Sequence, residues 1–272
     1  MKKHLSRAYL ILVFGILYIP ILTLILFSFN SVNSTANFEG FSLRWYIELF
    51  NSPDAFAALR NSLILAALSS VIATVIGTAA AEGIYKMRSK LAKAAVTSVT
   101  NIPMMNPDIV TGMSMMLFFV AVAGMLSLEY ESIGFTAMLI SHVTFGLPYV
   151  ILSVLPRINE LGDSLSEAAL DLGCTPIQAF FKVKLPNIMP GVISGFIMAF
   201  TMSLDDFVIS YFVGSSNFQT LPLLIYSMTK KKVTPDMYAL STLIVITIFV
   251  MLLISNIKSG KKLNANAGGK KK

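Results

Sequence analysis

The sequence predicts an all-α integral membrane protein with six transmembrane helices, and three observations support this. Of the 272 residues, 55% are hydrophobic and 13% are charged, whereas about 25% of residues in soluble domains are charged. Six stretches without charge reach the length of about 20 residues that a helix needs to cross a hydrocarbon core about 30 Å thick. The Lys and Arg residues cluster between these stretches. Despite a net charge of +7, that distribution indicates membrane topology rather than a nucleic-acid-binding face.

The predicted spans are residues 8–29, 61–81, 109–128, 132–155, 185–204 and 237–257. The first is too long for the apolar region of a signal peptide, and no small-residue cleavage site follows it, so we expect it to be retained. The chain has a single cysteine, Cys174, which excludes an internal disulfide framework. A buried free thiol is therefore the expected state of this cysteine.

An even number of spans places both termini on the same side of the membrane. Sixteen of the 21 Lys and Arg residues lie on that side, and five lie on the other. Because cytoplasmic loops carry an excess of Lys and Arg, we expect both termini in the cytoplasm. The run Lys230 to Lys232 departs from this rule. It is interpreted as a solvated loop tip, with a docking site for a partner as the alternative.

Three regions are expected along the chain. Residues 1–60 hold the first helix and a long outer loop, residues 61–257 hold a core of five spans, and residues 258–272 form a basic, disordered cytoplasmic tail. The most informative connection, residues 157–186, lies on the predicted cytoplasmic side. A connection of this length between two spans leaves room for structure of its own.

This connection contains two helix-start signals. Ser164 and Glu167 have the spacing of a capping box, and so do Thr175 and Gln178. Gly173 lies between them, where the end of a helix often needs a positive φ. The sequence therefore predicts two short helices joined at a glycine.

The same residues resemble the EAA motif of permease subunits of ATP-binding-cassette (ABC) importers. The triplet is followed by a glycine six residues after its Glu, and nine further residues precede Val183, which is Ile in the family pattern, and a Leu-Pro pair. The matching residues are Glu167, Ala168, Ala169, Gly173, Leu185 and Pro186. The resemblance implies a MetI-like, type I permease fold in the bacterial inner membrane. It also implies that this helix pair sits in a groove of a separate ATPase subunit.

ATP chemistry is not expected in this chain itself. The sequence contains no glycine-rich phosphate-binding motif ending in Gly-Lys-Ser or Gly-Lys-Thr, because Gly260 and Lys261 are followed by Lys262. The resemblance therefore implies a transport subunit without enzymatic activity, metal or cofactor of its own. ATP and magnesium would be used by a partner ATPase dimer.

Three acids lie in or beside apolar stretches: Asp108, Asp205 and Asp206. An ionisable residue at the bilayer centre costs about 2.5–3.5 kcal/mol on insertion scales, so each is a functional hypothesis. Two prolines and two asparagines between Asn101 and Asp108 predict a discontinuous helix there, while an N-cap is the alternative role for Asp108. Asp205 and Asp206 are expected inside the fifth helix, about 23 Å along it from Pro190. Adjacent helical residues point in different directions, so at most one of the pair faces a pore.

The predicted spans contain no Lys or Arg that could pair with these acids. A cationic cargo would therefore compensate their negative charge. A cation 4 Å from a carboxylate is attracted by about 4 kcal/mol at an effective dielectric constant of 20. Ser203 and Tyr211 are predicted as polar neighbours on the substrate pathway. Trp45, in the outer loop, could stack on a cation, although an interfacial anchor is the alternative.

The run from Ser203 through Asp206, with the later Leu-Pro-Leu-Leu-Ile-Tyr-Ser that contains Tyr226, resembles the polyamine importer permeases. In particular, it resembles the second of their two permease subunits. This implies import of spermidine or putrescine by an assembly of two unlike permeases, two ATPase copies and an extracytoplasmic binding protein.

Other interpretations remain open at this stage. The cargo could be another small solute such as iron or thiamine, since permeases for these share the EAA loop. A proton-coupled secondary transporter would leave the paired helices unexplained. An intramembrane aspartyl protease is disfavoured because no Gly-x-Gly-Asp occurs. His142, in the fourth span, is interpreted as a hydrogen-bonded packing residue rather than a proton relay.

Overall fold

The computed structural model describes residues 2–32, 34, 37–106, 108–215, 217–230 and 237–250, without the side chains of 2–6 and 8. Within these ranges the regular secondary structure is helical, apart from one isolated bridge between Asn30 and Phe41. The helices are α1 (Lys2–Phe27), α2 (Arg44–Asn51), α3 (Pro53–Lys86), α4 (Lys90–Met105), α5 (Asp108–Met125), α6 (Tyr130–Leu161), α7 (Ser164–Asp171), α8 (Pro176–Ala179), α9 (Leu185–Leu204), α10 (Val208–Val213), α11 (Leu221–Thr229) and α12 (Met237–Val250). A π-helical turn, Phe180–Lys184, joins α8 to α9.

Five helical stretches are long and apolar enough to cross a membrane: Tyr9–Phe27, Pro53–Lys86, Asp108–Met125, Tyr130–Leu161 and Pro176–Leu204. They confirm the first five predicted spans. Several extend beyond the prediction, because helical hydrogen bonding continues into polar flanks that the search for uncharged residues excluded. The sixth prediction coincides with the shorter apolar α12. Its remainder, residues 251–257, lies outside the described residues, as do Lys231, Lys232 and the predicted tail.

The chain forms two compact units. The first comprises Met1–Leu59 and Leu221–Phe249, and its core is a cluster of Leu49, Ala55, Ala58, Leu221 and Leu240. Its loop is organised by Asn30, whose amide nitrogen donates to the carbonyl oxygens of Ser34 and Asn37 at 2.9 and 2.8 Å. This buried amide gives the loop a defined conformation without regular secondary structure.

Of the described residues, the second unit comprises Arg60–Thr220 and Val250. In it α6 packs along α9, and α5 packs against α10. The main core is built from small and branched apolar residues: Ala73, Ala81, Ile84, Val150, Ile151, Val154, Ile158, Ile188 and Ala199. Such small residues let membrane helices approach closely. Gly191 and Gly195 of α9 lie close to α6, because a Cβ on Gly191 would lie 2.8 Å from the carbonyl oxygen of Ser153 and one on Gly195 would lie 3.0 Å from the Cα of Val150.

The long stretch before Leu128 is discontinuous, as predicted. Helix α4 ends at Met105, and α5 begins at Asp108. Asn106 has an extended backbone, with φ −79° and ψ 145°, which is the conformation favoured before a proline. The break therefore follows from the Asn106-Pro107 sequence itself.

The prediction that Asp205 and Asp206 lie inside the fifth helix was wrong. Helix α9 ends at Leu204, and a new helix, α10, starts at Val208. The physical reason is the carboxylate of Asp206, which accepts hydrogen bonds from the backbone N–H groups of Ile209 and Ser210. These contacts satisfy the free donors of a new helix start, so the chain turns here instead of continuing.

We expect a large side chain at Gly195 to destabilise the second unit. The nearest atom to an added Cβ is backbone, which cannot move aside as the end of a flexible side chain can. Overpacking of this kind costs about 1–3 kcal/mol. Gly195→Leu should therefore melt at a lower temperature than the wild type in detergent.

Gly15→Leu is the matched control, since nothing lies within 4 Å of an added Cβ at Gly15. Equal melting temperatures for the two variants would contradict the packing of α6 on α9.

Candidate functional site

Two groups of predicted residues lie in the second unit. The first is the paired-helix segment, defined here as residues 163–184, which holds α7, α8 and the π-helical turn. In its Glu-Ala-Ala triplet, Glu167 and Ala168 are exposed, and Ala169 is 6% exposed. The triplet therefore presents Glu167 and one small side chain outward, and the second alanine packs inward. Glu167 also borders a cavity of about 170 Å³ that Glu82 and Lys86 line from α3.

The turn between α7 and α8 has the predicted geometry. Gly173 has φ +85°, a conformation that glycine adopts without steric cost. The N–H of Gly173 donates to the carbonyl of Leu170 at 2.9 Å, and the N–H of Cys174 donates to that of Ala169 at 3.0 Å. These two bonds form a Schellman motif, which satisfies the last carbonyls of α7.

One of the two predicted capping boxes is present. The backbone N–H of Gln178 donates to the hydroxyl of Thr175 at 3.3 Å, and the N–H of Thr175 donates to the Gln178 side chain at 3.2 Å. The prediction of a capping box at Ser164 was wrong. Ser164 is already the first residue of α7, and Asp163 occupies the cap position without a side-chain hydrogen bond. Ser164 thus lies one residue too far into the helix to cap it.

The segment also exposes an apolar surface that the sequence analysis missed. Leu172, Ile177 and Phe181 are 87%, 71% and 60% exposed. Exposed apolar side chains of this size are typical of surfaces that contact another protein or a membrane. The signal in the sequence was an apolar side chain on either side of the Gly173 turn, but their exposure could not be deduced from their order.

The Leu-Pro pair starts α9. Leu185 is partly buried against the core cluster of Ala73 and its neighbours, while Pro186 is exposed. Pro186 follows the π-helical turn directly, within a stretch that is helical from Pro176 to Leu204. The pair therefore lies where the π turn passes into α9, and Leu185 attaches that point to the core.

The second group is the acidic cluster, defined as Asp108, Asp205 and Asp206. Asp108 begins α5, and the other two lie between α9 and α10. The close approach of α5 to α10 occurs at Gly112, where a Cβ would lie 3.0 Å from the ring of Phe212. The same Cβ would lie 3.4 Å from the carbonyl oxygen of Val208, two residues after Asp206. The structure therefore places the three acids at neighbouring ends of packed elements.

The two adjacent acids point in different directions. The carboxylate of Asp206 accepts the backbone N–H groups of Ile209 and Ser210 at 3.2 and 2.9 Å. Its Oδ2 lies 3.5 Å from Nε2 of His142, and the side chain is 7% exposed. Asp205 is exposed. Asp206 therefore stabilises the turn, whereas Asp205 is the exposed acid of this pair.

Behind Asp206 lies a chain of buried polar groups. The hydroxyl of Ser69 donates to that of Ser203 at 3.0 Å. Ser203 is 2.7 Å from Nδ1 of His142, and Nε2 of His142 is 3.3 Å from the hydroxyl of Ser210. His142 is thus a hydrogen-bonded packing residue, as predicted. Ser69 and Ser210 are the members that the sequence analysis missed.

Two further predicted residues have contrasting environments. Tyr211 is 46% exposed, with its ring 5.5 Å from that of Phe207. Trp45 belongs to the first unit and is 5% exposed. Its indole N–H donates to the carbonyl of Asn30 at 2.6 Å, and the guanidinium of Arg44 lies 5.3 Å from its ring centroid. The indole of Trp45 therefore already has a hydrogen-bond partner and a neighbouring cation within its own chain.

Comparisons with known proteins agree on one family. The profile of the family described as binding-protein-dependent transport system inner membrane component matches residues 73–258. The chain is 36% identical over 260 residues to the spermidine/putrescine transport system permease protein PotC of Haemophilus influenzae, covering 96% of this chain and 98% of the relative. It is 39% identical over 235 residues to the putrescine transport system permease protein PotI of Escherichia coli, covering 86% and 83%.

Solved structures with the same fold are more distant in sequence. A chain of a bacterial ABC transporter that imports the polysaccharide alginate matches with a TM-score of 0.75 and 17% identity, over 96% of both chains. A chain of the MetNI methionine ABC transporter matches with a TM-score of 0.60 and 21% identity, over 75% of this chain and 95% of that one. These matches support the predicted MetI-like permease fold.

Asp206 and Asp205 should differ in what they contribute to stability. Asp206→Ala removes the acceptor for two backbone N–H groups, and loss of a helix cap costs about 0.5–2 kcal/mol. Asp205→Ala, the adjacent control, removes an exposed side chain. We expect the melting temperature in detergent to fall for Asp206→Ala and to stay near the wild-type value for Asp205→Ala. A larger fall for Asp205→Ala would contradict the assigned roles.

Proposed function

The chain belongs to the family of inner membrane components of binding-protein-dependent transport systems, and from this premise we propose that it imports polyamines by way of the acidic cluster. Members of the family are multi-pass permease subunits of ABC importers, which are transport components and not enzymes. Membership therefore sets aside the proton-coupled transporter and the aspartyl protease.

The observation that carries the cargo proposal is the acidic cluster. Asp108 and Asp205 are exposed, and like charges held near each other repel. A polyamine carries several ammonium groups along one flexible chain, so a single molecule can neutralise more than one carboxylate. The relatives named for spermidine and putrescine support the same cargo. In this proposal Tyr211 is a polar neighbour of the substrate pathway. Ser203 contacts His142, which in turn lies next to Asp206.

The proposed partners follow from the two faces of an importer. An ATPase dimer would dock on the paired-helix segment, where Glu167, Ala168 and the exposed side chains of Leu172 and Ile177 provide charge, flatness and apolar area. ATP and magnesium would be bound by that dimer. A second, unlike permease would complete the pathway. A binding protein would deliver the cargo, and one related structure is an alginate transporter in complex with a pentasaccharide-bound periplasmic protein.

The proposal also assigns the sides of the membrane. Residues 1–60 supply a first helix and an outer loop, residues 61–257 the core, and residues 258–272 a basic cytoplasmic tail. The positive-inside distribution supports both termini and the paired-helix segment in the cytoplasm.

Asparagine at either exposed acid should weaken uptake. Asp108→Asn and Asp205→Asn each remove a charge that would hold one ammonium group, and losing about 1.4 kcal/mol of such a contact lowers affinity about tenfold. Uptake of radiolabelled spermidine is measured in cells that lack other polyamine importers and express this chain with its partner subunits. Uptake is normalised to the amount of this chain in the membrane.

Asp54→Asn is the matched control, since Asp54 is an exposed acid at the start of α3, in the first unit. Unchanged uptake in both cluster variants would remove the polyamine proposal. A loss of uptake in the control alone would do the same.

The single cysteine of the chain can test its orientation. The expectation that Cys174 is buried was wrong: it is partly exposed, because it lies in the turn between α7 and α8. A membrane-impermeant maleimide should label it in inside-out vesicles and leave it unlabelled in right-side-out vesicles. A bound ATPase should protect it, because the turn would lie within the docking surface.

Asn37→Cys, in the exposed outer loop, provides the opposite control in a Cys174→Ser background. It should be labelled in right-side-out vesicles. Labelling of Cys174 from the outside would invert the proposed topology and exclude docking of an ATPase at this turn.

A further inference from the structure

A buried lysine marks the end of the paired-helix segment. Lys184 is 2% exposed, although lysine is almost never fully buried unless it is paired. Its Nζ lies 3.0 Å from Oε1 and 2.8 Å from Oε2 of Glu82 in α3. Both carboxylate oxygens thus face one ammonium group, across 102 residues of sequence.

The π-helical turn is what places this lysine next to the acid. In the turn Phe180–Lys184, the N–H of Leu185 donates to the carbonyl of Phe180, five residues earlier. A π turn holds one residue more than an α turn, so it changes the faces that the following side chains occupy. Lys182, in the same turn, is exposed, whereas Lys184 is buried. Such turns are rare and occur frequently at functional sites.

The acid has a second partner of a different kind. Lys86 Nζ lies 3.0 Å from Oε1 of Glu82, but the lysine side chain is 66% exposed. An exposed pair of this type contributes little, about 0–1 kcal/mol. Removing one member of a buried pair, in contrast, leaves an uncompensated charge. Lys184 is therefore the partner that fixes the position of Glu82, and Lys86 supplements it at the surface.

Tyr85 extends the contact to both neighbouring elements. The Lys184 Nζ lies 4.5 Å from the centroid of its ring, and the Nζ of Lys93, in the first turn of α4, lies at 5.5 Å. Asp163, where the paired-helix segment begins, lines the same cavity as Glu82 and Lys184. The last turn of α3 therefore lies beside both ends of that segment and the start of α4.

We propose that Glu82, Tyr85 and Lys184 form the joint through which movement of the paired-helix segment reaches the spanning helices of this chain. The inference rests on the proposed function, in which an ATPase docks on that segment. A short loop without such contacts could move by itself. Here α3 is held at both ends of the segment, and α4 continues from the same joint to the break before Asp108. Glu82 and Lys184 are thus positioning residues, distant from the cargo.

The experiment compares uptake with ATP consumption in the complete importer. This chain, its partner permease, the ATPase dimer and the binding protein are reconstituted in proteoliposomes. Spermidine uptake and ATP hydrolysis are measured per assembled complex. Lys184→Met should lower the spermidine imported per ATP about tenfold, a coupling of ordinary size between sites. Lys182→Met, the control in the same turn, should leave this ratio unchanged.

Two further variants separate coupling from folding. The double variant Glu82→Gln with Lys184→Met leaves no unpaired buried charge, so it should assemble, and we expect it to remain uncoupled. The charge exchange Glu82→Lys with Lys184→Glu should recover part of the ratio. Tyr85→Phe should lower it less than Lys184→Met, because the ring remains beside the ammonium group.

A wild-type ratio in the double variant would overturn the inference, because the pair would then serve stability alone. The same conclusion would follow if Lys184→Met reduced only the amount of assembled complex. If the wild-type importer itself showed no ATP-driven uptake of spermidine, the proposed function would fail instead. The two failures can be told apart, because the second is seen in the wild-type importer and the first only in the variants.

Discussion

A polar group buried in a protein that crosses a bilayer has no water to bond with, so it must find its partners within the protein. This constraint accounts for the central part of the second unit. When α9 ends at Leu204, the next helix begins with free backbone N–H groups, and Asp206 supplies the acceptor for two of them. The carboxylate is in turn next to His142. A helix that breaks at such a buried site therefore needs nearby polar side chains as hydrogen-bond partners. Besides Asp206 and His142, this network contains Ser69, Ser203 and Ser210.

The same constraint explains why two oppositely charged residues of this chain are buried as a pair. Glu82 and Lys184 are buried together, with both oxygens of the acid near one ammonium group. Such a pair is weak support for stability, since burying two charges costs about as much as their attraction returns. Its effect is geometric: if Lys184 moved away from Glu82, its buried ammonium group would lose its acid partner. A contact of that type is suited to holding α3 against the paired-helix segment in one arrangement.

How far the sequence predicted the structure depended on the range of the interactions involved. The first five spans, the Asn106 break, the positive φ of Gly173 and the capping box at Thr175 all depend on neighbouring residues, and each was predicted correctly. The fifth span was predicted as residues 185–204, which is the range of α9, but Asp205 and Asp206 were wrongly placed inside its helix. The hydrogen bonds of the Asp206 carboxylate that accompany the turn depend on a geometry that composition does not reveal. The pairs of Glu82 with Lys184 and of His142 with Ser203 join distant segments. Their partners could not be deduced without the fold.

The end of α9 at Leu204 gives the two adjacent acids different environments. Inside a continuous helix, Asp205 and Asp206 would differ only in the direction in which their side chains point. Because the helix ends before them, Asp206 receives donors from the backbone and a neighbour in His142, and its charge is satisfied within the chain. Asp205, in contrast, is exposed. In the proposed function, a preference for a cationic solute would therefore arise from the break in the backbone, because the break leaves Asp205 exposed while Asp206 is bound within the chain.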